Sequence, residues 1–321
     1  MVNINFSSLK FHRLKLLPAL IIVVYLFNAI QYSQVQSITS DEGSFYDYAA
    51  KYLKGNPART NPRSDNSKMP VVILNTIPRV IKQILYPQYK STDGGTHDIM
   101  QGRYITVFVS VFSLLIVYVW AAELYGSAAG IFAIFLMAFC PNNLANATLV
   151  TTDSYSVLFL LATMYCLWKF CKHKSFKYFL LFSLLMALDQ LVKQSLFHLY
   201  ILAPLILVVY YFVNRSGFHF YSLLKYLLLF VIINWFVINA GYYFFESNQT
   251  LASYHFMSEL FQNVQKKFPS WLPVPFPKPF IDGLDMAKYY DQIGGGYDGL
   301  SSFGKVTILD KSATGAGLQS L

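Results

Sequence analysis

Residues 104–125, YITVFVSVFSLLIVYVWAAELY, decide the fold, because they form one long apolar run. An α-helix needs about 20 predominantly apolar residues to cross the hydrocarbon core of a bilayer, and this run supplies them. The 321-residue chain has several such runs and is only 13% charged, whereas a soluble domain carries about 25% charged residues. The runs are too long for the strands of a membrane barrel. The sequence therefore predicts an all-α polytopic membrane protein and excludes a water-soluble globule.

About seven transmembrane helices are predicted. They cover residues 14–32, 104–125, 127–139, 154–170, 176–188, 196–213 and 223–245. The first run has no persuasive small-residue cleavage site, so we interpret it as a spanning helix and not as a signal peptide. The third and fifth runs are short for a core about 30 Å thick, and we expect them to be tilted, re-entrant or partly buried in protein.

Positive charge in the short connections predicts the orientation of these helices. Lys10, Arg13 and Lys15 lie before or at the start of the first run, four lysines lie within 169–177, and Arg215 and Lys225 flank a later connection. Cytoplasmic loops carry an excess of Lys and Arg, so the N-terminus and these connections are predicted to be cytoplasmic. The segments then predicted to face outward are 34–102, 141–153, 189–194 and everything after 245.

The first outer loop, 34–102, contains two apolar stripes at helical spacing. One stripe follows Asp41 and Glu42 and ends before Gly55, and the other lies between Pro70 and Pro87. The stripes consist of Phe45, Tyr48, Ala49, Tyr52 and Leu53, and of Ile73, Ile77, Val80, Ile81, Ile84 and Leu85. Both segments are too short and too polar to span a bilayer. We predict interfacial amphipathic helices.

The chain beyond the last span is predicted to form a separate outer segment. It contains five prolines between 269 and 279 and a Gly-rich stretch at 294–296. This composition favours an extended loop over a packed helix. We therefore divide the chain into a transmembrane core, 1–246, which includes the outer loop 34–102, and an outer C-terminal segment, 247–321, that forms an incomplete loop.

Three outer acids are candidates for chemistry. Asp41 and Glu42 are adjacent where the first span has emerged, and Asp153 lies at the outer end of another span. A structural interpretation is that they stabilise helix N-termini, where carboxylates are favoured. The functional interpretation is a general base at the membrane surface, which needs a carboxylate within reach of an incoming hydroxyl. Acids on two different spans could converge on one cavity.

Two outer cations, Arg103 and Lys193, could hold a lipid phosphate at the height of the headgroups. The alternatives are a rim lysine that reaches toward water and an arginine that anchors a helix at the interface. The net charge of +9 is scattered through several loops, so we expect no nucleic-acid partner. The histidines and the three cysteines show no metal-ligand spacing. No cofactor is indicated with certainty, and loop acids could hold Mg²⁺ with water.

One family shares the order of these features. An N-terminal span leading to Asp41 and Glu42, R-x-x-x-V at Arg103, ELYG at 123–126 and PNNLANATLVTTDS at 141–154 together resemble the GT-C membrane glycosyltransferases. The resemblance is to glycosyltransferase family 39, the protein O-mannosyltransferase and aminoarabinose transferase group, and covers most of 10–290. LPVPFPKPFIDGLD at 272–285 is similar to an outer-loop stretch of bacterial members.

The resemblance implies an enzyme that takes a sugar from a polyprenyl-phosphate donor and passes it to an acceptor hydroxyl or phosphate on the non-cytoplasmic face. It implies inversion, with Asp41 as the catalytic base, Glu42 and Asp153 binding the acceptor or sugar, and Lys193 and Arg103 binding the lipid phosphate. The acceptor would be a protein, a lipid or a glycan. The resemblance further implies an integral protein of the bacterial plasma (inner) membrane.

Two other classes of function stay open at this point. One is a non-catalytic transporter or flippase, which would need polar residues in the middle of spans, whereas most acids here lie at span ends. The other is an inactive scaffold, because family members usually continue with more spans and this chain ends in the hydrophilic tail 304–321. We therefore expect a C-terminally shortened member whose activity is uncertain.

Overall fold

The computed structural model describes residues 6–59, 65, 67–90, 95–214 and 220–293. Within these ranges, the side chains of 6–15, 96 and 220–223 are not described. Several residues used above therefore lie outside the described part: Arg215, the Gly-rich stretch 294–296, the tail 304–321 and the side chains of the cations before the first span.

The described residues form twelve α-helices and one short antiparallel β-pair. The helices are α1 (Phe6–Val35), α2 (Ser40–Leu53), α3 (Ile77–Leu85), α4 (Thr96–Tyr125), α5 (Ser127–Ala138), α6 (Pro141–Ala147), α7 (Asp153–His173), α8 (Phe176–Val192), α9 (Leu199–Asn214), α10 (Phe220–Gly241), α11 (Glu259–Lys267) and α12 (Lys278–Gln292). The strands are β1 (Gln249–Thr250) and β2 (Pro273–Val274). Short 3₁₀ helices cover Pro70–Thr76, Gln194–His198 and Leu251–Ser253.

Five helical stretches in the described residues are long and apolar enough to cross a membrane. They are Leu16–Val35, His97–Tyr125, Asp153–His173, Gln194–Asn214 and Leu224–Gly241. A sixth span results if α5 and α6, which are bent by 64°, are counted as one broken helix. The fifth predicted run, 176–188, corresponds to α8, which has 17 residues and is not among these five spans. The prediction of an all-α polytopic membrane protein is confirmed, with five or six spans by length and composition.

Two predicted outer turns contain more helix than expected. Residues 141–153 begin with α6, and Pro141 lies in its first turn. Backbone N–H groups in the first turn have no partner within the helix, so the N–H that proline lacks is not needed there. Residues 189–194 lie mostly in α8, which continues to Val192 before the chain turns at Lys193. The last span ends at Gly241 and not at 245. These differences concern the ends of helices. An apolar run predicts a helix end poorly, because a helix can continue into polar residues beyond the run.

The interior of the first half is built by α1, α4, α5 and α6. A buried apolar cluster joins them, formed by Ile21, Tyr25, Leu114, Ile134, Ala138 and Ala147. The Tyr25 hydroxyl donates to Ser110 Oγ at 2.8 Å, so the buried ring has a partner on α4. A Cβ at Gly130 would lie 2.8 Å from the carbonyl oxygen of Tyr118, so the glycine allows α5 to approach α4 closely.

The chain divides into two compact units. The first comprises residues 1–58 and 67–245, and the second comprises 59–66 and 246–321. The division of the sequence into 1–246 and 247–321 stays a prediction.

Within the first unit, α2 forms where the first apolar stripe was predicted. Its N-cap is Thr39, and the chain leaves the helix through Gly55, whose φ of +78° is accessible to glycine without strain. The stripe faces the 3₁₀ helix Pro70–Thr76 and α4, and its residues are buried except Leu53. The α2 stripe is thus covered by protein, whereas α3 keeps an exposed apolar face formed by Ile77, Ile81, Ile84 and Leu85.

Within the second unit, the prediction of an extended loop is wrong for the described residues. They contain α11, α12 and the β-pair. Ser258 caps α11, and its backbone N–H and hydroxyl donate to Asp285 on α12 at 3.0 and 2.6 Å. The prolines suggested a loop, but Pro279 lies in the first turn of α12, where proline is tolerated.

Candidate active site

At one end of the helical bundle, polar residues from several elements of the first unit lie close together. The C-terminal end of α1, the first turn of α2, the first part of α4 and the segment before α7 meet there, because side chains from α2 and α4 contact all of them. The end of α8 contacts the start of α7 at the same end of the bundle, through the ion pair of Lys193 and Asp153. The end of α1, the start of α4 and the segment before α7 therefore meet at α2, and the end of α8 joins them through α7.

Glu42 and Arg103 form a buried ion pair at the centre of this region. The guanidinium of Arg103 donates from Nε to Glu42 Oε1 at 2.8 Å and from Nη2 to Oε2 at 2.7 Å. Both side chains are 0% exposed. This bidentate arrangement is the strongest geometry available to an arginine and a carboxylate.

The remaining donors of Arg103 bind the end of α1. Nη1 donates to the carbonyl oxygens of Ser33 and Gln36, both at 2.8 Å, and Nη2 donates to that of Ser37 at 2.9 Å. The last carbonyls of a helix have no partner within the helix, so Arg103 acts as their cap. A guanidinium has five N–H groups, and all five are used. Arg103 was predicted to bind a lipid phosphate, and this geometry leaves it no donor for one.

Glu42 is equally occupied. Besides Arg103 it accepts the backbone N–H of Val150 at 3.0 Å and that of Thr39 at 2.9 Å. Burial alone would raise the pKa of Glu42, but the hydrogen bonds from Arg103, Thr39 and Val150 outweigh it and lower the pKa below the ordinary value of 4.5. Glu42 was predicted to bind the acceptor or sugar, and here it joins α2 to α1, α4 and the segment before α7.

Asp41 precedes Glu42 in the first turn of α2, and its side chain is exposed. The backbone oxygen of Asp41 accepts the Ser44 hydroxyl at 2.8 Å, and Lys68 Nζ donates to Ser44 Oγ at 2.6 Å. Lys68 is 3% exposed, and its ammonium lies 3.6 Å from the ring centre of Phe45. The turn that carries Asp41 therefore has a buried cation next to it.

Lys68 was missed by the sequence analysis, which treated 55–68 as a hydrophilic, turn-forming stretch. A signal existed, because Lys68 directly precedes the apolar segment that begins at Met69. Burial of a lysine depends on tertiary contacts with α2, and the local sequence does not contain those contacts.

Asp153 and Lys193 form a second ion pair. Lys193 Nζ lies 2.5 Å from Asp153 Oδ1, and the Thr151 hydroxyl donates to Oδ2 at 3.3 Å. The two side chains are 41% and 39% exposed. Asp153 is the first residue of α7 and Lys193 caps the end of α8. The two residues were proposed separately from the sequence, and the structure brings them together.

A metal site is not evident in the described part of the chain, since it has no group of three or more His, Cys, Asp or Glu residues suited to hold an ion. The three cysteines, all described, are free. The arrangement therefore offers an exposed carboxylate, a buried lysine and an accessible lysine–carboxylate pair, which together suit proton transfer and binding of an anion.

Residues 95–242 match the family model described as dolichyl-phosphate-mannose-protein mannosyltransferase. This segment, which is just under half of the chain, is similar to the GT-C mannosyltransferase-like family. The match supports a membrane glycosyltransferase of the GT-C type, embedded in the membrane and acting on a glycosyl donor and an acceptor. It includes Arg103, Asp153 and Lys193, while Asp41 and Glu42 lie before it. No curated protein and no solved structure matches the chain.

Proposed function

We propose that this GT-C glycosyltransferase transfers a sugar from a polyprenyl-phosphate donor to an acceptor hydroxyl or phosphate, with inversion, and that Asp41 is the general base. One observation carries the proposal: Asp41 is exposed on a helical turn whose neighbour, Glu42, is locked by a fully buried arginine. A carboxylate that is accessible but fixed in position is what proton abstraction from an incoming hydroxyl requires.

The reaction then proceeds as one displacement. Asp41 takes the proton of the acceptor hydroxyl as its oxygen forms a bond to the anomeric carbon. The bond between that carbon and the phosphate oxygen breaks, and its electron pair leaves with the polyprenyl phosphate. A phosphate departs without protonation, so no second carboxylic acid is needed, in contrast to the two carboxylates of a glycosidase.

Binding of the leaving phosphate falls to lysines. Lys193 is accessible, and within the described part of the chain its ion-pair partner is Asp153, so a phosphate can compete with that carboxylate for the ammonium. Lys68 supplies a second positive charge on the Asp41 turn. Charges that are already in place stabilise the developing negative charge without reorganisation. We assign Asp153 the role of holding Lys193 at the site.

Glu42 and Arg103 are positioning residues in this proposal. Their five-donor network fixes the first turn of α2 against α1 and against the segment before α7. Asp41 can therefore keep one orientation while its own side chain remains free for the acceptor. Their effect on the reaction is indirect, through the placement of Asp41.

The site is proposed to lie on the outer side of a bacterial plasma membrane, with the N-terminus in the cytoplasm. The support is that the lysines of 169–177 lie at the opposite end of the bundle, as the positive-inside rule expects for a cytoplasmic end. A lipid-linked donor also explains why the polar residues gather at a helix end, at the height of the headgroups. Proteins, envelope glycolipids and cell-wall glycans remain candidate acceptors.

The test is Asp41→Asn, with Asp47→Asn as the matched control, because Asp47 is another exposed acid on α2. Membranes containing the full chain are supplied with a radiolabelled polyprenyl-phosphate mannose, and label transferred to protein, lipid and glycan fractions is measured. We expect Asp41→Asn to lower transfer by about 10²–10⁴-fold, the usual contribution of a general base. Asp47→Asn should retain activity.

Two results would contradict the proposal. Transfer by Asp41→Asn at the unmodified rate would remove the base assignment. Movement of the donor across the membrane without transfer, equal in both variants, would favour the flippase interpretation.

A further inference from the structure

A large apolar pocket opens between α7, α8, α9 and α10, away from the candidate active site. Its volume is about 570 Å³. Phe182 and Met186 of α8 form its inner wall, and Leu207 and Val208 of α9 form the opposite side. A void of this size in a spanning bundle does not stay empty in a bilayer, because its lining would lose packing contacts.

Two tyrosines of the lining, both on α9, make hydrogen bonds to neighbouring helices. Tyr200 donates to Asn234 Oδ1 of α10 at 2.6 Å, and Tyr210 donates to the carbonyl oxygen of Cys171 at the end of α7 at 2.8 Å. Both tyrosines line the pocket and lie on α9, about 15 Å apart at 1.5 Å per residue. This length equals half of a hydrocarbon core about 30 Å thick. The two tyrosines of the lining are therefore separated by about the thickness of one leaflet.

The end marked by Tyr210 is strongly positive. Lys174 lies in the lining itself, and Lys172, Lys177 and Lys225 are exposed at the same helix ends. Glu123, the described acid at this end of α4, is already paired with Lys169 at 2.5 Å. A ligand with an apolar chain in the pocket would place its headgroup next to uncompensated lysines.

We propose that this pocket binds one acyl chain of an anionic phospholipid from the leaflet at the lysine-rich end, with the phosphate at Lys174. Three observations carry it: the lining is apolar, its tyrosines on α9 are separated by about the thickness of one leaflet, and the charged residue of the described lining, Lys174, lies at the lysine-rich end. The site is independent of the proposed transfer, because the active-site residues lie at the opposite end of the bundle. The bound lipid would stabilise the contact of α9 with α7 and α8.

Photolabelling of the full chain in phosphatidylcholine vesicles tests the site. The probe is a phosphatidylglycerol with a diazirine in its acyl chain, present as a minor component, and labelled peptides are located by mass spectrometry. We expect labelling of α8 and α9 that is displaced by excess unlabelled phosphatidylglycerol. Val208→Trp should lower this labelling several-fold, because the indole occupies the pocket.

Val209→Trp is the matched control. Val208 and Val209 are 50% and 53% exposed on the same helix, but Val209 does not belong to the lining. Equal labelling of the two variants would overturn the proposal. If Val208→Trp does not fold, Leu227→Trp and Leu224→Trp form a second pair on α10, of which Leu227 lines the pocket.

The headgroup contact is tested with Lys174→Gln, with Lys177→Gln as control. We expect the preference for phosphatidylglycerol over phosphatidylcholine to fall about fivefold in Lys174→Gln and to stay nearly unchanged in Lys177→Gln. Displacement of the label by neutral lipid as effectively as by anionic lipid would overturn the assignment. Stronger displacement by a polyprenyl phosphate than by phosphatidylglycerol would also overturn it.

Discussion

The two ion pairs at the candidate active site differ in what surrounds them. Glu42–Arg103 is fully buried and every donor of the arginine is used, whereas Asp153 and Lys193 are each about two-fifths exposed and have few other partners. An ion that is removed from water must be fully compensated by its neighbours, and only the first pair needs and has this compensation. The buried pair therefore organises the fold, and the exposed pair stays available to a ligand.

The difference matters for the interpretation of charged residues near a membrane surface. Both cations were predicted to bind a lipid phosphate, because both lie at the outer ends of spans. Only Lys193 keeps a position from which its ammonium can exchange one anionic partner for another. Arg103 would have to release three carbonyls and a carboxylate to do the same, and each buried group would be left without its bond.

The largest effect is expected from Arg103→Ala. It leaves Glu42 buried and without its charge partner, which typically costs about 3–5 kcal/mol. Arg103→Lys should be nearly as damaging, because one ammonium cannot reach five acceptors in a planar arrangement. Thermal unfolding of the detergent-purified chain measures this, with Lys193→Ala as the comparison at about 0–1 kcal/mol. Equal losses in Arg103→Ala and Lys193→Ala would show that the two pairs do not differ as argued.

Lys193→Ala should lower sugar transfer about 10²-fold while leaving the thermal midpoint nearly unchanged, because one preorganised donor to the departing phosphate is lost. Lys193→Arg should recover most of the activity, since it restores the charge. Lys278→Ala serves as the control, because Lys278 is a partly exposed lysine of the second unit, 3.7 Å from Glu246. Normal transfer by Lys193→Ala would exclude this lysine as a phosphate ligand.

Much of the first unit could be predicted from the sequence, because apolar runs of bilayer length leave few alternatives. The helical class and the presence of a helix next to Asp41 and Glu42 followed from local patterns, although α2 begins at Ser40 and contains both acids in its first turn. Counting the spans placed the five candidate residues on the same side of the membrane, and in the structure they lie at the same end of the helical bundle. These features depend on residues that are neighbours in the chain and on the thickness of the membrane, so they can be predicted from one sequence.

The partners of the candidate residues could not be predicted. Whether Arg103 binds phosphate or caps α1 depends on contacts between residues about 70 positions apart, such as that with Ser33. The burial of Lys68 has the same origin, because Ser44 and Phe45 enclose it. In the second unit, prolines suggested a loop, although α12 begins with one. Local composition does not distinguish a proline that ends a helix from one in its first turn.

The smallest effect concerns pH and again separates the two pairs. The pKa of Glu42 is lower in the folded protein than its ordinary 4.5, so the folded state releases this proton more readily than the unfolded state. Its contribution to stability is therefore complete above pH 4.5 and is lost as the pH falls through the folded pKa.

Thermal midpoints measured across this acidic range should fall more steeply for the unmodified chain than for Glu42→Gln, which lacks the ionisable group. Asp153→Asn should follow the unmodified curve, because an ion pair this exposed contributes little to stability. An Asp153→Asn curve as flat as that of Glu42→Gln would indicate that the exposed pair also supports the fold.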